Sequence, residues 1–121
     1  MAPLDIQGYT YEQRHGLLAD LTAVFSNCGG WVLGRKNLSP SNVEFRVEIQ
    51  LGAALDLYAA LVATGFELTR SGHEALTVLC TRRRHSRITA ELGQTVVLRL
   101  EIRFLEDIAL NSLLRCAYGL S

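Results

Sequence analysis

The sequence has no long apolar run, no net charge and no evident leader. No apolar stretch approaches the ~20 residues that a membrane-spanning helix needs. The first residues, Met1 to Asp5, lack the charged and apolar regions of a signal peptide, so we expect a cytoplasmic protein without membrane contact. Twelve Lys and Arg residues balance twelve Asp and Glu residues, and no overall field attracts nucleic acid.

Cysteine and histidine are also scarce. Cys28, Cys80 and Cys116 are odd in number and far apart, which fits neither a disulfide framework nor a zinc site. Each lies among apolar residues, so we expect reduced thiols packed as small hydrophobic groups. The histidines, at positions 15, 73 and 85, have no metal-ligand spacing with one another. We therefore expect neither a metal nor a cofactor.

The first half of the sequence predicts a strand, a helix, two strands and a second helix. The strand covers residues 4–10, and an apolar stripe from Leu17 to Cys28 predicts the helix that Gly29-Gly30 ends. Residues 31–38 predict a second strand. Apolar and charged residues alternate along 43–49 and predict a third. Leu55, Tyr58, Leu61 and Val62 then predict a helix that ends at Gly65.

Residues 66–70 and 74–81 are interpreted as two further strands, or as one strand preceded by a turn. The resulting order, βαββαβ over residues 1–82, predicts an α+β, ferredoxin-like sandwich with an antiparallel sheet and both helices on one face. The residues predicted to fill its core are Ile6, Leu17, Leu21, Val24, Phe25, Val43, Phe45, Val47, Ile49, Leu55, Leu61, Leu76 and Val78.

The remaining sequence exceeds this unit. Residues 83–94 are interpreted as a linker. Its arginine cluster is interpreted as a solvated segment, which we favour over a nucleic-acid-binding site. Residues 95–104 alternate as an additional strand, and residues 105–120 predict a helix that is apolar on more than one side. We expect this 95–121 extension to form a homodimer interface, since a small neutral chain gains from burial against a copy of itself.

The segment from Arg14 to Phe25, which follows a strand and ends before Gly29-Gly30, resembles the ACT domain family. Those domains bind small molecules and regulate amino-acid and nucleotide metabolism. Arg14 and Gly16 match the basic residue and the glycine of the family's opening turn. His15 stands where proline is usual, and Gln13 stands where an acidic residue is usual. The resemblance covers residues 4–82 and implies that a ligand contacts the turn and a neighbouring protomer.

The chemistry of the turn suits an anion. Free N–H groups and the dipole at the start of a helix favour negative charge, such as the carboxylate of an amino acid. Arg14 and His15 add charge-assisted donors, and Gly16 allows close approach. The predicted ligand-binding residues are therefore Arg14, His15, Gly16 and Leu17. Gly16 has an alternative interpretation as a purely structural turn residue.

Three functions remain open at this point. The first is a non-catalytic, ACT-like regulatory domain that binds a small effector, such as an amino acid, and homodimerises. The second is a ligand-free structural subunit of a metabolic enzyme. The third is a small enzyme on a ferredoxin-like sheet, which ranks last because no group of catalytic residues is visible.

Overall fold

The computed structural model describes residues 3–85 and 92–105. These residues form an α+β fold with a five-stranded mixed sheet and three helices. A short 3-10 turn spans Leu51–Ala53. The elements are β1 Leu4–Thr10, α1 Arg14–Asn27, β2 Trp31–Ser39, β3 Asn42–Gln50, α2 Ala54–Ala63, β4 Glu67–Leu68, α3 Arg70–His85 and β5 Thr95–Phe104.

The strand order is β2-β3-β5-β1-β4, so the last strand in the described sequence lies at the centre of the sheet. β5 pairs in parallel with β1 and antiparallel with β3, whereas the other pairs are antiparallel. The expected all-antiparallel sheet is therefore wrong for one strand pair. The expected boundary at residue 82 also differs from the structure, because β5 completes the same sheet that β1 and β3 build.

One face of the sheet forms the core, and all three helices contribute to the same apolar cluster. Phe25 of α1 meets Phe45 of β3 edge to face, with ring centroids 5.8 Å apart. Strands bury alternate residues because successive side chains point to opposite faces. The strand residues buried on this face are Ile6, Val43, Phe45, Val47, Ile49, Val96, Leu98, Leu100, Ile102 and Phe104. The opposite face, here called the open face, carries the residues between them.

The predicted strand at residues 74–81 is wrong, because the segment belongs to α3. Leu76 and Leu79 are buried three positions apart, which is helical spacing, while Val78 faces outward. The hydroxyl of Thr69 accepts a hydrogen bond from the N–H of Gly72 at 3.1 Å and so caps the start of the helix. Basic residues in the last turn oppose the partial negative charge at that end.

The predicted core is correct except on the outer sides of the helices. Leu55 is 51% exposed and Val78 is 60% exposed, so both predictions were wrong. Val24 is partly buried against the core, and the other predicted core residues are buried. α2 explains the error at Leu55, since it is apolar on two sides and turns Ala54, Leu57 and Leu61 inward.

The predicted linker and tail are described only in part. Arg83 lies within α3, and its Nε donates to the carbonyl of Gly52 at 2.8 Å, so the start of the expected linker is helical. Residues 86–91 and 106–121 lie outside the described residues, and with them most of the predicted 105–120 helix. Among the helices that the structure describes, none has the length and hydropathy needed to span a membrane.

Candidate functional site

The predicted ligand-binding residues are the first four residues of α1. Gln13 is the N-cap residue and has an extended backbone, and its side chain makes no capping hydrogen bond. The first N–H groups of a helix have no acceptor within the helix. Here the N-cap side chain does not accept a hydrogen bond from them either. The predicted turn is thus the N-terminus of a 14-residue helix.

Arg14 joins three elements of the fold. Its guanidinium donates to the carbonyl of Pro40 at 2.8 Å and to Oδ1 of Asn37 at 2.6 Å. The same group lies 5.5 Å from the ring centroid of Phe104, at cation–π distance. Arg14 therefore holds the start of α1 against the β2–β3 turn and the end of β5, and two of its donors are already used.

The other three predicted residues separate into exposed and buried positions. His15 and Gly16 are exposed, whereas Leu17 is 1% exposed and belongs to the core. A Cβ atom on Gly16 would meet no atom within 4 Å, and Gly16 does not have a positive φ. The backbone therefore does not require glycine here, and the structure leaves open space beside it.

The open face of the sheet carries a group of charged side chains around Arg99. Arg99 forms a very short contact with Glu44 and reaches Asp5 at 3.4 Å and Glu101 at 3.6 Å. The hydrogen bond with Glu44 is the largest cause of a raised Arg99 pKa, so this guanidinium stays charged. One guanidinium thus contacts three carboxylates, while Lys36 and Arg46 lie beside Glu44 and Arg99 in the same rows of the sheet.

Beside this group, a depression of about 130 Å³ lies between β1, β5 and the end of β4. Its lining residues are Gln7, Gly8, Tyr9, Thr69, Glu101 and Arg103. Glu67 is the register partner of Tyr9 on β4, and the proximity of its carboxylate raises the pKa of the Tyr9 phenol, which stays protonated. The sequence does not predict this depression, because the alternating residues of β1 and β5 do not reveal that the two strands are neighbours.

The outer sides of α2 and α3 form an exposed groove. The hydroxyl of Tyr58 and Nδ1 of His73 lie 2.5 Å apart and link the two helices. Val62 and His73 line one cavity beside them, while His73 and Val78 line a second. Because Val62 and Val78 are both more than half exposed, this groove leaves apolar surface in contact with water.

The described cysteines do not form a reactive site. Partial burial raises the pKa of both the Cys28 and the Cys80 thiol, which lowers the fraction present as the nucleophilic thiolate. Both are free, as expected. Within residues 3–85 and 92–105, no three side chains of the metal-binding types come together.

The comparisons with known proteins give no assignment. Neither a protein-family model nor a curated protein nor a solved structure matches this chain.

Proposed function

We propose that the chain is a non-catalytic, ACT-like regulatory domain that binds a small metabolite at the start of α1. The observation that carries this proposal is the exposed first turn of α1, where His15 and Gly16 border open space. The element order β1-α1-β2-β3-α2-β4 supports a ferredoxin-like unit into which β5 is inserted, between β1 and β3. A cytoplasmic location belongs to the same proposal.

The chemistry of this turn favours an anionic group on the ligand. The N–H groups of the first turn and the helix dipole both attract negative charge. His15 adds an imidazole N–H donor. Arg14 contributes less than its sequence position indicates, since Asn37 and Pro40 occupy its guanidinium. Its role in this proposal is to fix the turn, and the direct contacts come from His15 and the backbone of Gly16.

A ligand titration with two glycine variants tests the proposal. We expect amino acids, nucleotides or small organic acids to include at least one compound that raises the thermal midpoint of the wild-type chain. Gly16→Val places a branched side chain in the open space beside the turn and should abolish that stabilisation. Its intrinsic cost to the helix is small, because valine and glycine both have low helix propensity.

Gly34→Val is the matched control. A Cβ on Gly34 also meets no atom within 4 Å, but Gly34 lies on β2, where it pairs with Arg46 of β3, and not in the first turn of α1. This variant should retain the ligand response of the wild type. Unchanged stabilisation of Gly16→Val by the same compound would place the ligand elsewhere.

We propose homodimerisation through the end of the open face that carries Trp31, Glu48 and Val97, which leaves the other end of β5, at Arg103, exposed. The backbone of β5 is fully engaged by β1 and β3, and only its outward side chains remain for a partner. β2 has bulges near Leu33 and Leu38 and carries Arg35 and Lys36, features that oppose edge pairing. By contrast, Trp31 and Val97 flank Glu48 in one row across the open face.

Sedimentation velocity of the full chain tests the dimer. We expect the sedimentation coefficient to rise with concentration from the monomer value to the dimer value, and Trp31→Lys to remove that rise. Trp31 is 50% exposed, so this replacement leaves the core intact. A wild-type chain that sediments as a monomer over the whole concentration range would contradict the proposal.

The groove between α2 and α3 favours a second function, that of a structural subunit without a ligand. Leu55, Val62 and Val78 expose apolar surface that a protein partner, such as a metabolic enzyme, would cover. The ligand titration separates the two functions. If no compound stabilises the wild-type chain, the regulatory function is contradicted and the structural one is favoured.

A further inference from the structure

The depression on the open face has a pair of opposite charges at a defined spacing. Glu101 and Arg103 are two positions apart on β5, so both side chains point to the open face about 7 Å apart at their Cα atoms. Gln7 and Tyr9 are their register partners on β1. Thr69 lies at the rim, where β4 passes into α3.

The two charged groups are incompletely neutralised by the residues that the structure describes. The side chain of Arg103 is exposed and makes no ion pair or hydrogen bond with any other residue that the structure describes. Glu101 accepts a hydrogen bond from Asn42 at 3.2 Å and lies 3.6 Å from Arg99. Since Arg99 is shared with Glu44 and Asp5, Glu101 retains the capacity to bind a further cation.

The surrounding groups add polarity and a wall. The side-chain amide of Gln7 is exposed and has no hydrogen-bond partner among the described residues, so both a donor and an acceptor are free. Tyr9 lines the depression and lies beside Glu67 in the β1–β4 pair. The Thr69 hydroxyl is held by the carbonyl of Gln7 at 3.0 Å.

We propose that this depression binds the ammonium and carboxylate groups of a free α-amino acid, with Arg103 holding the carboxylate and Glu101 the ammonium. A guanidinium presents two parallel donors to a carboxylate, and a carboxylate accepts charge-assisted hydrogen bonds from an ammonium. The site lies on the opposite side of the sheet from the start of α1 and does not depend on the function proposed there.

The volume restricts how the ligand sits. The depression is small, at about 130 Å³, and is open on one side, which favours a ligand no larger than the backbone of an amino acid. The ligand's side chain then extends into solvent, where no described residue contacts it. The site should therefore recognise amino acids as a class and discriminate little between small side chains.

A titration followed by heteronuclear NMR tests this site in the full chain. The probes are glycine and alanine, compared with acetate, which lacks the ammonium, and methylamine, which lacks the carboxylate. We expect glycine and alanine to give saturable shifts at the Gln7 side-chain amide and at the backbone amides of Tyr9 and Arg103. Acetate and methylamine should bind at least about tenfold more weakly, since each loses one charge-assisted contact.

Three variants identify the contacts. Arg103→Met and Glu101→Gln should each weaken glycine binding at least about tenfold. Both variants should preserve a dispersed spectrum, since Gln has the shape of Glu and Met keeps an unbranched chain at an exposed position. Arg46→Met is the matched control, because Arg46 is an exposed arginine on the same face but does not line the depression. It should leave the affinity for glycine unchanged.

Three results would overturn the proposal. The first is equal binding of acetate and glycine, which would leave Glu101 without a role. The second is the absence of saturable shifts at Gln7, Tyr9 and Arg103. The third is a set of shifts confined to His15 and Gly16, which would support the site at α1 and contradict the one on the open face.

Discussion

A chain that ends after Arg84 should fail to fold and should be recovered as insoluble or unfolded protein. The truncation removes β5, whose inward residues are all buried: Val96, Leu98, Leu100, Ile102 and Phe104. Burial of each such side chain contributes about 1.5–3 kcal/mol. Together they match the entire stability of a typical domain, about 5–15 kcal/mol.

The truncation also leaves the facing edges of β1 and β3 unpaired. Circular dichroism and heteronuclear NMR of the refolded chain provide the measurement.

Two substitutions in β5 test whether the truncated chain fails to fold because β5 is lost or only because the chain is shorter. Leu100→Asn puts an amide into the core, where Leu100 is 2% exposed, and should reproduce the loss of fold. Val97→Asn also replaces an apolar side chain by an amide, but Val97 is half-buried on the open face. This variant should still fold and unfold cooperatively. A soluble chain 1–84 with a dispersed spectrum would show that the sheet closes without β5.

Phe45→Ala should lower the free energy of unfolding by about 3–5 kcal/mol, which is the usual range for a buried phenylalanine. Phe45 is 1% exposed, pairs with Leu100 across the β3–β5 ladder and meets the Phe25 ring. Its removal takes away transfer free energy and an aromatic contact and leaves a cavity. Urea denaturation at constant temperature measures the change.

Leu55→Ala is the matched control for that experiment. The sequence predicts Leu55 as a core residue, but half of its surface is exposed on α2. Its replacement should cost under about 1 kcal/mol. If Phe45→Ala cost no more than Leu55→Ala, the inward and outward faces of β3 would be misassigned.

The alternating strands could be predicted from the sequence almost residue by residue. β1 and β5 coincide with the predicted ranges, and β3 extends the predicted range by one residue at each end. At the end of α1, Gly29 has a φ of 72°, and a Cβ on Gly30 would meet Ile49 at 2.7 Å, so the predicted Gly-Gly stop is confirmed. A period of two and a left-handed glycine are local signals, and local signals survive in an isolated sequence.

The failures arise where local signals conflict or are silent. In α3, the β-branched residues Thr77, Val78 and Thr81 favour a strand, but the buried spacing of Leu76 and Leu79 is helical, and packing against β1 and α2 decides the outcome. The central position of β5 depends on strand order, which no local pattern encodes. The depression at Glu101 and Arg103 could not be predicted for the same reason.

The central position of β5 also imposes an order on biosynthesis. Asp5 and Arg99, which meet across the open face, are 94 positions apart in the sequence. The ladder between β1 and β5 therefore cannot form until nearly the whole described chain has been synthesised. Such distant contacts slow folding, because a long loop must close before any burial compensates for its entropy. During translation, β1 and β3 present unpaired edges and apolar faces, and this nascent state is the one that chaperones would need to shield.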